Sequence, residues 1–170
     1  KRQRLNFTGR EGYPRLDSSF ALPLPERALV PVGGGKDSLV VVEKLRQQVP
    51  VSLAVVGQAE LITEVAQATH LPLLRVLRKL PPELKALNQA GAYNGHIPIT
   101  AINSIVLSLL ALMAGYRWLV FANEHSADTA TRLAGEGAGV NHQYSKSIAF
   151  EEDWREYIQR YAGAPDYFSL

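Results

Sequence analysis

"PVGGGKDSLVVVEKL", residues 31–45, sets three consecutive glycines, a lysine, an aspartate and a serine between two apolar runs. Upstream, "ERALVPV" predicts a short buried strand over Ala28 to Val32. Downstream, Leu39, Val42 and Leu45 fall on one face of a helix predicted over Asp37 to Gln48. The turn between them holds more backbone freedom and more polar groups than a plain connection needs.

Working outward, the same alternation continues. "VSLAVVG" (51–57) reads as a second buried strand, followed by a helix over about 60–69 and a third strand over about 73–78, bounded by Pro81 and Pro82. A short helix near 83–89 precedes the loop "AGAYNGHIP" (90–98), and a long apolar helix runs over about 100–114. "RWLVFAN" (117–123) is a fourth strand, residues 124–147 are polar and glycine-rich without a clear period, and "FEEDWREYIQRYA" (150–162) closes with an amphipathic helix carrying Trp154, Ile158 and Tyr161. No internal repeat or low-complexity tract is present. Strands this apolar, alternating with helices, argue for an α/β fold: a doubly wound, mainly parallel sheet with helices on both faces. Ligands in such folds sit at the carboxyl ends of the strands. The loops 33–36 and 123–147 both follow strands and should therefore meet at one edge. Residues 1–27 read as an irregular arm, or the remnant of a preceding domain, and 28–170 as the α/β domain.

At 170 residues and 46% hydrophobic, the chain suits one domain with a substantial core. A formal charge of +2, with basic residues scattered apart from "KRQR" (1–4) and "RVLRK" (75–79), argues against a nucleic-acid partner. The absence of cysteine rules out disulfides, cysteine zinc ligands and an in-chain thiol mechanism. It is compatible with a reducing cytosol, and cytoplasmic localisation is the expectation. The polar start lacks the apolar core of a signal peptide, and a first residue Lys1 fits a fragment or a processed chain. Residues 96–116 carry no fixed charge and approach the roughly 20 residues that span a bilayer. Pro98, Thr100, Asn103, Ser104 and Ser108 interrupt them, so a buried helix beginning near Thr100 is expected there instead of a membrane span.

Glycine tolerates positive φ and lets a ligand approach the backbone closely. Successive N–H groups in such a turn make an anion-binding concavity, to which the next helix adds the positive end of its dipole. Lys36 offers a mobile cation, Ser38 a hydroxyl, and Asp37 a helix cap or a magnesium ligand. Together they describe a phosphate cradle; the alternative is a tight turn capped by Asp37 or Ser38. The P-loop pattern GxxxxGK[ST] fails because its second glycine falls on Ser38, and GxGxxG, begun by Gly33 and Gly35, fails at the same place. Glu60 only weakly imitates the acidic ribose contact of the latter.

"GGGKDS" resembles the SGGxDS loop of the PP-loop ATP pyrophosphatase superfamily. Gly34, Gly35, Asp37 and Ser38 match, and Gly33 replaces the first serine, removing one hydroxyl from the phosphate site. The resemblance implies an adenine-nucleotide α-hydrolase-like sheet that binds ATP with Mg2+, cleaves between the α- and β-phosphates and adenylates a substrate oxygen. The pyrophosphate would lie on Gly33, Gly34, Gly35, Lys36, Asp37 and Ser38, and the adenine against the backbone of Val55, Val56 and Gly57. "IPITAINSIVLSLLALMAG" (97–115) resembles the VPxRN segment and apolar helix of the 7-cyano-7-deazaguanine synthase branch, with Asn103 at the asparagine, which implies that Asn103 also belongs to the cofactor-binding set. That branch's cysteine-bound zinc has no counterpart here. "ANEHSAD" (122–128) and "GVNHQYSKS" (139–147), with "GGGKDS" and "GHIPITAIN" (95–103), resemble the UDP-N-acetylmuramoyl-L-alanyl-L-glutamate epimerase family over about residues 28–160. Full members are longer, implying a further domain.

The chemistry that this family resemblance implies is coherent. Adenylation removes the carboxylate charge that resists loss of the α-proton, a base takes the proton, it returns from the other face, and hydrolysis restores the carboxylate. The cradle and magnesium stabilise the leaving pyrophosphate. Lys36 and Asp37 would act at the cradle, Lys146 at the α-phosphate or the developing negative charge, and His125 and His142 as proton carriers. Glu124, with Asp37, would bind magnesium or would orient His125, while Asn141, Gln143, Tyr144 and Ser145 would grip the substrate. Alternatively "NHQYSKS" is a polar loop capping the last helix, with Ser147 near its start. His70 ends a predicted helix, where its charge suits the dipole, and His96 reads as structural. The expected partner is a small-molecule substrate, a nucleotide-linked peptide precursor, and a homodimer is compatible with this reading. Two further readings stay open: amidation or thiolation of a small molecule or tRNA, and a nucleotide-binding sensor that never turns over ATP.

Overall fold

Strand β1 (Ala28–Pro31) forms where an apolar run meets the glycine turn, and it becomes the centre of the sheet. The computed structural model describes residues 23–93, 97–123, 132–133, 139–140 and 143–170. After β1 come α1 (Lys36–Leu45), β2 (Val51–Val56), α2 (Glu60–Ala68), β3 (Leu73–Val76) and α3 (Pro82–Gln89). Then follow α4 (Ile99–Ala114), β4 (Trp118–Phe121), the short antiparallel pair β5 (Arg132–Leu133) and β6 (Gly139–Val140), α5 (Ile148–Tyr161) and β7 (Asp166–Ser169). The main sheet has the order β3-β2-β1-β4-β7 and is parallel at every pairing.

The period-2 alternation of the strands sorts their side chains onto two faces. Val30, Leu53, Val55 and Val120 pack with Val41 and Val42 of α1 and Ala66 of α2. Leu29, Ala54, Leu119 and Tyr167 pack with Leu107 and Ala111 of α4 and Ile158 of α5. The fold is therefore the doubly wound, parallel α/β sheet expected from the sequence.

Helix α1 starts at Lys36 and stops at Leu45, shorter than its apolar spacing predicts. Burial of α4 is confined to one face. Ser104, Leu107, Ser108 and Ala111 are buried, while Ile105, Leu109 and Met113, spaced four apart, face outward. A helix lying on an open sheet has only one side to cover, so charge-free sequence does not by itself make it buried all round. No helix among the described residues is long and apolar enough to cross a membrane. At the end of α4, Gly115 adopts the left-handed conformation (φ 75°), and the Arg27 guanidinium donates to the carbonyls of Ala114 and Gly115 while lying 4.4 Å over the Tyr116 ring. His70 ends α2 in the same conformation (φ 57°), an exposed terminating position.

The chain runs from β1 outward through β2 to β3, then returns across β1 to build β4 and β7 on the other side. The direction of winding thus reverses between β1 and β4. Loops leaving the carboxyl ends of those two neighbours diverge there and open a crevice.

Candidate functional site

The crevice is a cleft of about 360 Å³, lined by Gly33, Gly35, Asp37 and Ser38 after β1, by Ala54 and Val56 of β2, by Thr100, Asn103 and Leu107 of α4, and by Phe121, Ala122 and Asn123 at the end of β4. That size falls within the range of small-molecule sites. The expectation that the loops 33–36 and 123–147 meet at one edge holds at Asn123; residues 143–147, further along the second loop, do not line the cleft.

Gly35 occupies the N-cap of α1 with an extended backbone (φ −88°, ψ 160°), and no side chain caps the helix. Ser38 Oγ donates to the Gly35 carbonyl at 3.0 Å, which tightens the turn but satisfies no N–H. Asp37 has no hydrogen-bonded partner among the described residues either, so neither of the two candidate caps serves as one. Among the described residues no side chain caps the first-turn N–H groups of α1, at the end where the helix dipole favours negative charge. Lys36 is exposed and forms no ion pair among the described residues. Asp37, half-buried, lines the cleft.

Only one of the three glycines is held by its backbone. Gly34 has φ 80°, and a Cβ there would meet Ile62 Cγ1 at 3.4 Å; a Cβ on Gly33 would meet nothing within 4 Å. Gly34→Ala is expected to cost about 1–2 kcal/mol of stability in urea denaturation, while Gly33→Ser leaves the midpoint unchanged. Equal effects of the two substitutions would show that the turn is not strained at Gly34.

Val56 lines the cleft. Gly57, just past it, turns at φ 106° and donates its N–H to the Val76 carbonyl at 2.8 Å, outside the cleft lining. Asn103 lines the cleft, and its Oδ1 is buried with no hydrogen-bond partner among the described residues.

Gln143, Tyr144, Ser145 and Lys146 lie on the turn that leads into α5, and none of them lines the cleft. The Tyr144 hydroxyl donates to Asp153 Oδ2 at 2.9 Å, and that hydrogen bond, ahead of desolvation, raises its pKa. Ser147 is the N-cap of α5: its Oγ accepts from Phe150 N at 3.3 Å and donates to the Tyr144 carbonyl at 2.7 Å. Capping therefore accounts for Ser147. Glu124, His125, Asn141, His142 and His96 lie outside the described residues, as does most of the arm 1–27. Among the described residues no three His, Cys, Asp or Glu side chains cluster as a metal site.

Sequence reasoning gave no role to Thr100, Asn123 or a polar network behind the cleft. Asn123 Nδ2 donates to Ser169 Oγ at 2.9 Å, and Ser169 Oγ donates to Glu151 Oε2 at 2.7 Å. The hydroxyls of Ser104 and Tyr167 are 3.1 Å apart. Asn123 was findable, because it is the first polar residue beyond a strand that borders the point of reversal.

Residues 2–170 match the family described as "MurL N-terminal domain". Three curated relatives carry the name UDP-N-acetyl-alpha-D-muramoyl-L-alanyl-L-glutamate epimerase. The chain is 48% identical to that of Xanthomonas oryzae pv. oryzae over 152 residues, covering 88% of this chain and 34% of the relative. It is 42% identical to that of Salinispora tropica over 149 residues, covering 85% and 32%, and 41% identical to that of a Micromonospora strain with the same coverage. It thus spans about a third of the length of these relatives. With the family match running over nearly every residue, the chain belongs to the MurL N-terminal domain family.

Proposed function

We propose that this chain is the ATP-binding part of an enzyme that adenylates the terminal glutamate carboxylate of UDP-N-acetylmuramoyl-L-alanyl-L-glutamate, releases pyrophosphate, and inverts the α-carbon during peptidoglycan synthesis in the cytoplasm. The observation that carries the reading is the start of α1: a helix terminus with no side-chain cap and an Asp37 carboxylate without a partner among the described residues face one cleft at the reversal point, with Lys36 exposed next to them and outside the cleft lining. The name carried by the relatives supplies the substrate.

ATP suits the residues present. The open backbone at Gly33 leaves room for phosphate oxygens, first-turn N–H groups can donate to them, and Lys36 reaches them from solvent. Magnesium is commonly held by one or two carboxylates together with substrate phosphates, so Asp37 suffices as a protein ligand without a preformed cage, with Glu124 as a second. Bound there, magnesium would neutralise charge on the departing pyrophosphate. Val56 presents an apolar wall for the base. His125 and His142 are the proposed proton carriers, Lys146 the proposed counter-charge, and Asn141, Gln143, Tyr144 and Ser145 the proposed grip on the peptide. Since Lys146 and its neighbours stand outside the cleft lining, this role requires the segment before α5 to close over bound ligand.

The test is product analysis with ATP and Mg2+, with and without the precursor, by phosphorus NMR and by glutamate chirality after hydrolysis. AMP and pyrophosphate formed only with the precursor, together with D-glutamate, are the expected products. AMP and pyrophosphate without inversion would keep the adenylating chemistry and reject inversion by this chain alone. ADP and phosphate, or bound ATP without products, would reject pyrophosphate release by this chain.

A further inference from the structure

Among the described residues, buried polar side chains around the cleft are satisfied with one exception. Ser104 Oγ donates to the Thr100 carbonyl at 2.9 Å, Ser108 Oγ to the Ser104 carbonyl at 2.7 Å, and Trp154 Nε1 to Ser108 Oγ at 3.2 Å. Asn123 is held by Ser169. Asn103 Oδ1 alone among the described side-chain atoms is buried without a partner. A buried acceptor left unmade costs stability, and folded proteins rarely keep one without a reason. This one lies on α4, which covers the face of the sheet opposite α1, so the cleft runs over the carboxyl edge from the glycine turn to Asn103.

We propose that Asn103 is a specificity residue whose Oδ1 accepts a hydrogen bond from an O–H or N–H donor of the bound ligand. Ionised phosphates and carboxylates only accept, so neither the polyphosphate nor the glutamate carboxylate meets this requirement. Resting on the function proposed above, the donor belongs either to ATP (a ribose hydroxyl or the adenine amino group) or to the precursor (a hydroxyl or an amide N–H). A site built around a donor rejects an analogue that lacks it, because the protein acceptor is then left stranded.

Asn103→Leu keeps the approximate shape and removes the acceptor; Asn103→Ala is the second variant. In the ligand-free chain Asn103→Leu is expected to raise the melting temperature by on the order of 2–4 °C, as relief of an unmet acceptor should. Affinities are then measured for inorganic pyrophosphate, MgATP, its 2′-deoxy and 3′-deoxy analogues, and the precursor. Both variants should bind pyrophosphate as wild type does. If ATP supplies the donor, both lose about tenfold for ATP; wild type then binds one deoxy analogue as weakly as the variants bind ATP when the donor is a ribose hydroxyl, and binds both deoxy analogues normally when it is the adenine amino group. If the precursor supplies the donor, the loss appears with the precursor instead. Unchanged affinity for both ATP and precursor, or a melting temperature that falls in Asn103→Leu, overturns the inference. Failure of wild type to bind ATP or pyrophosphate rejects the ATP reading separately, and the precursor measurement then decides Asn103.

Discussion

Asp37→Asn is expected to reduce AMP and pyrophosphate formation about 100-fold, the scale seen when one pre-placed electrostatic group is removed from a transition state. The substitution is nearly isosteric, and the Asp37 carboxylate has no hydrogen-bonded partner among the described residues, so the melting temperature should stay close to wild type. Its effect should fall on magnesium: affinity for ATP without Mg2+ stays or rises, since a negative charge near the phosphates is gone, while the gain normally brought by Mg2+ shrinks. Lys36→Met should act the other way, weakening ATP binding about tenfold with or without the metal. This contrast separates an enzyme from a sensor. A domain that only reports bound nucleotide has no use for a group that acts as pyrophosphate leaves. Asp37→Asn would therefore leave its ligand response intact. Equal ATP and Mg2+ behaviour in wild type and Asp37→Asn would remove Asp37 from the proposed site.

The strand, glycine turn and helix at 28–45 were legible because their signals are local. A run of apolar residues, three glycines and an apolar helical spacing within 31–45 fix β1, the turn and α1 with little help from the rest of the chain. Parallel pairing followed from strands apolar on both faces, and the meeting of distant loops followed from parallel pairing. What the sequence left open depends on long-range packing. "DYFS" at 166–169 has too few residues and too mixed a polarity to announce a strand; it becomes β7 because Asp166 to Ser169 pair with Trp118 to Phe121 at the free side of β4. Leu107 and Leu109 look alike in a charge-free run, yet one is buried and the other outward, a difference set by where the sheet lies. Ser147 carried a readable local signal as a serine before an amphipathic helix, and it proved to be a cap.

Tyr167→Ala should be the most damaging substitution outside the cradle, at about 3–5 kcal/mol, because it empties a fully buried aromatic site. The ring packs 5.2 Å from that of Phe121 and joins the edge strand to α4 through Ser104. Tyr167→Phe isolates the hydroxyl, worth about 1 kcal/mol near neutral pH. The same hydroxyl predicts an alkaline limit on stability. Burial foremost, and then the charge of Glu151, push its pKa up from 10.0 to about 12, against opposing hydrogen bonds from Ser104 and Asn123. Below pH 10 both folded and unfolded chains hold this proton, and the contribution is fully present. Between pH 10 and 12 the unfolded chain releases it while the folded chain does not, so stability falls, by about 2.5 kcal/mol over the window. Urea midpoints measured from pH 8 to 11.5 should drop more steeply in wild type than in Tyr167→Phe, and the late component of the tyrosinate absorbance titration should shrink in the variant. Parallel profiles would show that Tyr167 is not the group responsible. Because Asn123 at the cleft is held by Ser169 on the same strand, Tyr167→Ala should also weaken ligand binding at the cleft, whereas Tyr167→Phe, which keeps β7 packed, should not.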